Sequence, residues 1–171
     1  LYVALGEAYF KQHNFSSANV VLSNMYGPLD HFEISRSHAL GALLVKIFNA
    51  KKNNIDFIDV WGTGKPIREW LYVEDGAKSL IKSLELSEGH HFFNVGSGLG
   101  HSVIDIAKKI AKELNWEGNF KLDKSKPDGV LEKKVNPELG KEILKWSPEI
   151  SIDEGIRLTL EWFIENEKNI T

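Results

Sequence analysis

The 171-residue sequence contains no cysteine. Disulfides and thiolate chemistry are therefore excluded, and the chain suits a reducing compartment. Proline is sparse, with five residues, and no proline-rich linker, internal repeat or low-complexity tract divides the chain. No apolar run approaches the roughly 20 residues that cross a bilayer. The first residues also lack the basic, apolar and small-residue order of a signal peptide, so the expected setting is cytoplasmic with no membrane partner. Neither sign of charge is in excess: 21 Lys and Arg against 24 Asp and Glu leave a formal net charge of -3. Without a basic stripe interleaved with stacking aromatics, a nucleic-acid partner is not expected. The six histidines, among them His13, His31, His90, His91 and His101, form no spacing that would hold a metal, and none is predicted.

What is present is enough for one domain. Hydrophobic residues make up 42% of the chain, sufficient for an ordinary core. Helical spacing starts at once in LYVALGEAYFKQH, with Leu1, Ala4, Leu5, Ala8, Tyr9 and Gln12 in phase and no capping residue ahead. We expect this helix to begin earlier, in a longer protein of which the sequence is a piece. Ala18 to Leu22 reads as a buried strand running into a turn at Asn24, Gly27 and Pro28. Leu40, Leu43, Leu44 and Ile47 mark an amphipathic helix that Ser37 could cap. DFIDVW and EWLYV read as strands, and Asp75 as the start of a helix whose apolar face is Ala77, Leu80, Ile81 and Leu84. HHFFNVGSG followed by SVIDIAKKIAKEL gives strand, glycine turn and helix, with Val103, Ile106, Ala107, Ile110, Ala111 and Leu114 on one face. A strand-like NFKLDKS and a polar loop lead to a short helix from Pro137 to Leu144. The last helix opens at SIDE, where Ser151 and Glu154 match a capping box. The class is α/β.

Three features could carry chemistry. NVGSGLGHS could let a helix N-terminus approach a phosphate, although a structural turn is the simpler and favoured explanation. His38, at a helix start, could act as a general acid or base near neutral pH, or be an ordinary surface residue. The most specific feature is VWGTGKPIREWLYVED, in which Arg68 could grip a phosphate through two N–H donors while Gly62 and Gly64 permit tight backbone and Trp61 offers a flat face. In the alternative, Arg68 pairs with Glu69, Glu74 or Asp75, and both Trp61 and Trp70 belong to the core.

Taken in order, NMYGP, VWGTGKPIREWLYVED, FNVGSG and SKPDG resemble the C-terminal half of an extended short-chain dehydrogenase/reductase, a nucleotide-sugar enzyme of the NAD-dependent epimerase/dehydratase family. The resemblance covers nearly the whole chain, and WGTGKPIREWLYVED and SKPDG are its most diagnostic parts. It implies the last part of a Rossmann-like sheet, from residues 1–28 and 76–118, and a smaller α/β substrate-binding lobe, from 29–75 and 119–171. It implies that His38 is an acid/base residue for epimerisation. It further implies that Ala39, Leu43, Lys46, Val60, Trp61, Arg68 and Lys133 line the substrate, with Val60, Trp61 and Arg68 against the nucleotide diphosphate. Leu22, Ser23 and Asn24 match the segment near the nicotinamide end of NADP.

The activity implied for the parent protein is 3,5-epimerisation and then 4-keto reduction of GDP-4-keto-6-deoxy-D-mannose, with NADP as cofactor and a homodimer as the assembly. A 4-epimerase or 4,6-dehydratase on another nucleotide sugar, or a non-catalytic sugar-nucleotide-binding module, are the alternatives. The family's glycine-rich fingerprint and its serine, tyrosine and lysine catalytic set are not in this sequence, so the chain alone is expected to be inactive. Leu22, Gly41, Glu132 and Asn136 depart from the family pattern. Glu132 matters most, because it sets a negative charge beside Lys133.

Overall fold

The chain folds into α1 (Tyr2–His13), β1 (Ser17–Leu22), β2 (Asn24–Tyr26), α2 (Ala39–Lys52), β3 (Phe57–Trp61), β4 (Ile67–Tyr72) and α3 (Val73–Ser83). Then follow β5 (His90–Val95), β6 (Gly100–Ser102), α4 (Val103–Glu113), β7 (Asn119–Asp123), β8 (Glu132–Lys133), α5 (Glu138–Leu144) and α6 (Ile152–Asn166). The computed structural model describes residues 1–33 and 37–169.

Strands β1 and β5 pair in parallel from Ser17 beside His90 to Leu22 beside Val95. The helices α1, α3 and α5 pack along this pair, as parallel strands require a covering of helices. The core here is Leu71, Phe93, Val95 and Leu144, with Val20, Leu22 and Trp146 against it. A second sheet centres on β4, which takes β2 in parallel, β6 antiparallel and β8 in parallel. A third is the parallel pair β3 and β7. The larger core joins these two sheets to α2, α4 and α6 through Leu40, Leu44, Ile47, Ile106, Ile110, Ile156, Leu160 and Phe163. Thus α4, although it follows β5 in the chain, packs with α2 and α6. Residue Leu71 of β4 belongs to the first core while its neighbours Trp70 and Tyr72 belong to the second, because successive strand side chains point to opposite faces. Strand β4 therefore joins the two packing units.

The helix periodicity of α2, α4 and α6 matches their buried faces: Leu40, Leu43, Leu44, Ile47, Ile106, Ala107, Ile110, Ala111, Ile156, Leu160 and Phe163 are all buried. Helix α3 corrects the sequence expectation. It begins at Val73, buries Asp75, Gly76 and Ser79, and leaves Leu80, Ile81 and Leu84 exposed. Its inward face is small and polar because Asp75 Oδ2 accepts the N–H groups of Glu149 and Ile150 at 3.1 and 2.9 Å. Those bonds anchor the approach to α6 against α3.

Capping differs from the sequence reading at two helices. The N-cap of α2 is His38, without a side-chain cap bond, and the Ser37 hydroxyl is buried without a partner among the described residues. At α6, Ser151 Oγ accepts the Glu154 N–H at 3.2 Å, but the Glu154 carboxylate turns forward to Arg157. Only half of the capping box forms. Pro137 stands immediately ahead of α5 as its N-cap. The short strands β2, β6 and β8, of two or three residues, were not foreseen, because so few residues show no alternation.

Candidate functional site

Strand β4 carries Arg68 and Trp70 on one face, two residues apart. Alongside, β2 places Asn24 next to Trp70 in register, and Asn24 Nδ2 donates to Glu69 O at 2.8 Å, locking the two strands together. The N-terminus of α2 brings His38 and Ala39 to the same place. Asn24, Met25, His38, Ala39, Arg68 and Trp70 line one cleft of about 210 Å³. A larger hollow of about 400 Å³ lies on the far side of Trp70, between His101 and the start of α6. It holds none of the predicted site residues.

Arg68 is not spent on an internal ion pair. Among the described residues its guanidinium makes one hydrogen bond, from Nη1 to the Ile67 carbonyl at 2.8 Å. Glu69, on the opposite face of β4, is fully buried, and its carboxylate accepts the N–H groups of Gly98 and Val135. Asp75 is bound to the backbone ahead of α6. A cation whose remaining N–H donors meet no acceptor among the described residues, lining one cleft with an accessible imidazole, suits a phosphate or carboxylate ligand.

Beside the cleft is a second surface. Trp61, at the end of β3, is 65% exposed, whereas Trp70 is core, so the two tryptophans have different fates. The ammonium groups of Lys46 and Lys126 each lie 5.6 Å from the Trp61 ring centroid, within cation–π range. Lys46 Nζ also donates to Asp59 O at 3.1 Å. Lys126 comes from the loop after β7, which is fixed to the turn after Trp61: Asp128 accepts the Thr63 N–H at 2.6 Å and the Thr63 hydroxyl at 2.7 Å. Gly62 has φ +73°, and a Cβ there would sit 2.1 Å from Asp128 Oδ1. Glycine is required at that position both by backbone conformation and by the carboxylate.

The other sequence-predicted residues fall into three groups. Lys133 is exposed on β8, in register with Arg68. Leu43 and Val60 are 5% and 1% exposed; their side chains fill the core and offer no surface to a ligand, leaving only their backbone. Leu22 packs on the smaller core, Ser23 Oγ is buried with no partner among the described residues, and Asn24 reaches the cleft. Glu132 is paired with Lys134 at 2.7 Å, so its negative charge is offset locally. Sequence reasoning missed Lys126 and Asp128, which lie in SKPDG. The available signal was an aspartate inside a glycine-ended turn, a residue type that binds backbone N–H groups.

The glycine turn after β5 is structural. Its Gly98 N–H donates to Glu69 Oε1 at 3.0 Å, and a Cβ at Gly96 would lie 2.0 Å from that oxygen. A buried carboxylate fills the place a phosphate would need. Helix α4 does not begin at the turn, because β6 intervenes, and Ser102 caps it by accepting the Asp105 N–H at 3.1 Å.

A parallel strand pair clad in helices and joined to a lobe with a basic cleft defines the C-terminal part of a Rossmann-like, extended short-chain dehydrogenase/reductase fold. The chain belongs to the NAD dependent epimerase/dehydratase family, whose sequence profile matches residues 3–96. It is 34% identical over 164 residues to the probable GDP-L-fucose synthase 1 of Oryza sativa subsp. japonica, covering 96% of this chain and 50% of that protein. It is 35% identical over 176 residues to the GDP-L-fucose synthase of Escherichia coli strain K12, covering 96% of this chain and 54% of that one. The crystal structure of a GDP-L-fucose synthetase from Naegleria fowleri bound to NADP superposes with a TM-score of 0.87 at 26% identity, covering 97% of this chain and 52% of that one. The chain thus spans about half the length of the relatives it matches.

Proposed function

We propose that this chain is the C-terminal half of an NADP-dependent enzyme that inverts C3 and C5 of GDP-4-keto-6-deoxy-D-mannose and reduces its C4 ketone. The observation that carries this reading is the convergence of Arg68 and His38 on one cleft, beside the exposed Trp61. Residues 29–75 and 119–171 supply the substrate lobe, and 1–28 and 76–118 the cofactor side, with β4 facing both cores and α4 packed on α2 and α6.

The chemistry follows from charge. Arg68 holds the diphosphate by bidentate N–H donation, which fixes orientation as well as charge. Trp61 gives the base a flat partner, and Lys46 and Lys126 add positive potential around it. A C4 ketone acidifies the protons on C3 and C5, since the carbanion left behind delocalises onto the carbonyl oxygen. His38 takes or returns such a proton, a task for an imidazole with access to the cleft.

The cofactor's hydride would reduce the ketone after epimerisation. The residues at the carboxyl end of β1 fit a cofactor: Ser23 holds a buried hydroxyl without a partner among the described residues, between Leu22 and the cleft-lining Asn24. Ligands of open parallel sheets sit outside strand carboxyl ends. Among the described residues no helix is long and apolar enough to cross a membrane, and helix α1 buries no residue, which leaves it available as the interface of the homodimer we assign to the parent protein.

The test is turnover of the full-length protein with NADPH and a set of keto-sugar nucleotides, read by NADPH absorbance and by deuterium uptake from solvent at C3 and C5. Reduction with exchange of both protons is expected for the GDP-linked 4-keto-6-deoxyhexose; reduction without exchange at either carbon would overturn the epimerase assignment.

A further inference from the structure

The loop 124–131 connects the two halves of the candidate nucleotide surface. At one end Lys126 stands over Trp61; at the other, a Cβ at Gly129 would lie 3.7 Å from Arg68 Nη2, so the loop passes beside the guanidinium. Between them, Asp128 is bound twice to Thr63. The start of the loop is itself ordered: Asp123 accepts the Ser125 N–H and hydroxyl at 3.0 and 2.5 Å, and the Lys126 N–H reaches Asp123 O at 3.1 Å. Facing it, the Gly62 N–H donates to Asp123 O at 2.9 Å. Lys126 and Trp61 are thus joined through backbone and one carboxylate, not through any direct bond between their side chains.

We propose that Asp128 is a positioning residue for nucleotide binding: by clasping Thr63 it holds the Lys126 loop against the Trp61 turn, so that Lys126 and Lys46 flank the indole and Gly129 stays beside the Arg68 guanidinium. The proposal rests on the nucleotide-sugar reading above and deepens it by naming what sets the geometry of that site. Asp128 does not itself touch the ligand. An acidic side chain facing a polyphosphate would repel it, but here the carboxylate is turned into the Thr63 N–H and hydroxyl, which hold it below the usual carboxylate range. Its charge is directed at the turn, and the lysine at the opposite end of the clasp faces the indole. The fit around Gly62 shows how closely the two loops approach, since any side chain there would displace the carboxylate.

The test uses the full-length protein and two readings. The first is GDP affinity by calorimetry. The second needs no nucleotide: iodide quenching of fluorescence, with the contribution of Trp61, the one strongly exposed tryptophan among the described residues, taken as the difference from a Trp61→Phe protein. Iodide is drawn to the two ammonium groups beside the ring, so loss of Lys126 from that position lowers the quenching. Asp128→Ala and Gly62→Ala are expected to weaken GDP binding by about 10-fold, the scale of a charge-assisted clasp, and to lower the Trp61 component of quenching. Asp128→Asn should retain both, because its amide can accept the Thr63 N–H and donate to the Thr63 oxygen. That rescue separates positioning from charge. Unchanged quenching in Asp128→Ala overturns the role of Asp128 whatever the nucleotide does. Failure of the unsubstituted full-length protein to bind GDP overturns the nucleotide reading, and the proposal with it, and leaves the quenching result to report the loop geometry alone.

Discussion

Glu69 and Gly98 are joined by a 3.0 Å hydrogen bond from the glycine N–H to a carboxylate with no solvent exposure. The other carboxylate oxygen accepts the Val135 N–H at 2.9 Å, so a single side chain fastens β4 to the turn after β5 and to the segment after β8. Removing it would orphan two backbone donors in a part-buried setting. Glu69→Ala is therefore expected to destabilise the chain by about 2–4 kcal/mol, the scale of leaving such donors unsatisfied. Urea denaturation monitored by circular dichroism measures this, and a loss under about 1 kcal/mol would show that the clasp is dispensable.

Arg68 presents the opposite case: a cation whose only hydrogen bond among the described residues is to its neighbour's carbonyl. Its loss should cost the fold little and the substrate much. In the full-length protein, Arg68→Ala should raise the KM for the nucleotide sugar by about 10- to 100-fold, as expected for a charge-assisted contact, with NADPH affinity nearly unchanged. Arg68→Lys should recover only part of that loss, because an ammonium cannot supply the paired donors of a guanidinium. Steady-state kinetics with each substrate varied in turn separates the two affinities, and an equal loss of both would contradict the assignment.

The long helices were legible because apolar residues at three- and four-residue spacing leave a period that needs no tertiary context, as Ile106, Ile110 and Leu114 show. The face of α3 departs from its apolar spacing for a physical reason: Asp75 Oδ2 and the Ser79 hydroxyl find partners in the backbone ahead of α6 and at Gly76, and no periodicity predicts such bonds. The distinct fates of Trp61 and Trp70 were likewise hidden, since both sit in apolar strands and only sheet pairing decides which face is covered. Convergence of Arg68, His38 and Asn24 depends on β2 lying beside β4, a three-residue pairing too short to leave a pattern in the sequence. Val60 and Leu43 were placed at the site by resemblance alone, and their side chains are occupied in the core.

His38 stands exposed at the N-cap of α2 and lines the cleft with Arg68. A residue that moves protons on the sugar but does not hold the diphosphate should affect exchange more than binding. His38→Gln in the full-length protein is expected to slow deuterium uptake at C3 and C5 by at least about 100-fold, within the range of general acid–base catalysis, while ketone reduction of an already epimerised substrate falls far less. Mass spectrometry of the recovered sugar nucleotide in heavy water reads the exchange, and undiminished uptake would sink the role.

His101, on β6, provides a pH test of the fold. Burial pushes its imidazole below the ordinary value of 6.5, the Lys109 ammonium adds to the effect, and the carboxylates of Asp153 and Asp105 oppose it. The unfolded chain therefore binds more protons at this site than the folded chain once the pH falls below 6.5. Its contribution to stability is complete above that pH and declines as the pH drops through 6.5 toward the lower folded value. Urea midpoints measured between about pH 7 and about pH 5 should fall more steeply for the unsubstituted chain than for His101→Gln. Parallel profiles would show that the imidazole titrates alike in both states.

Leu84 and Ile106 have the same hydrophobic character and opposite surroundings, at 85% and 0% exposure. Side chains already in water gain nothing from folding, so Leu84→Ser in the 171-residue chain should change stability by no more than about 0.5 kcal/mol. Ile106 lies in the core shared by α2, α4 and α6, and Ile106→Ala should cost about 2–5 kcal/mol through lost burial and the cavity left behind. Paired urea melts decide the matter. A loss of about 2 kcal/mol or more for Leu84→Ser would mean that the outer side of α3 is packed in solution, and the polar inward face formed by Asp75 and Ser79 would then need another explanation.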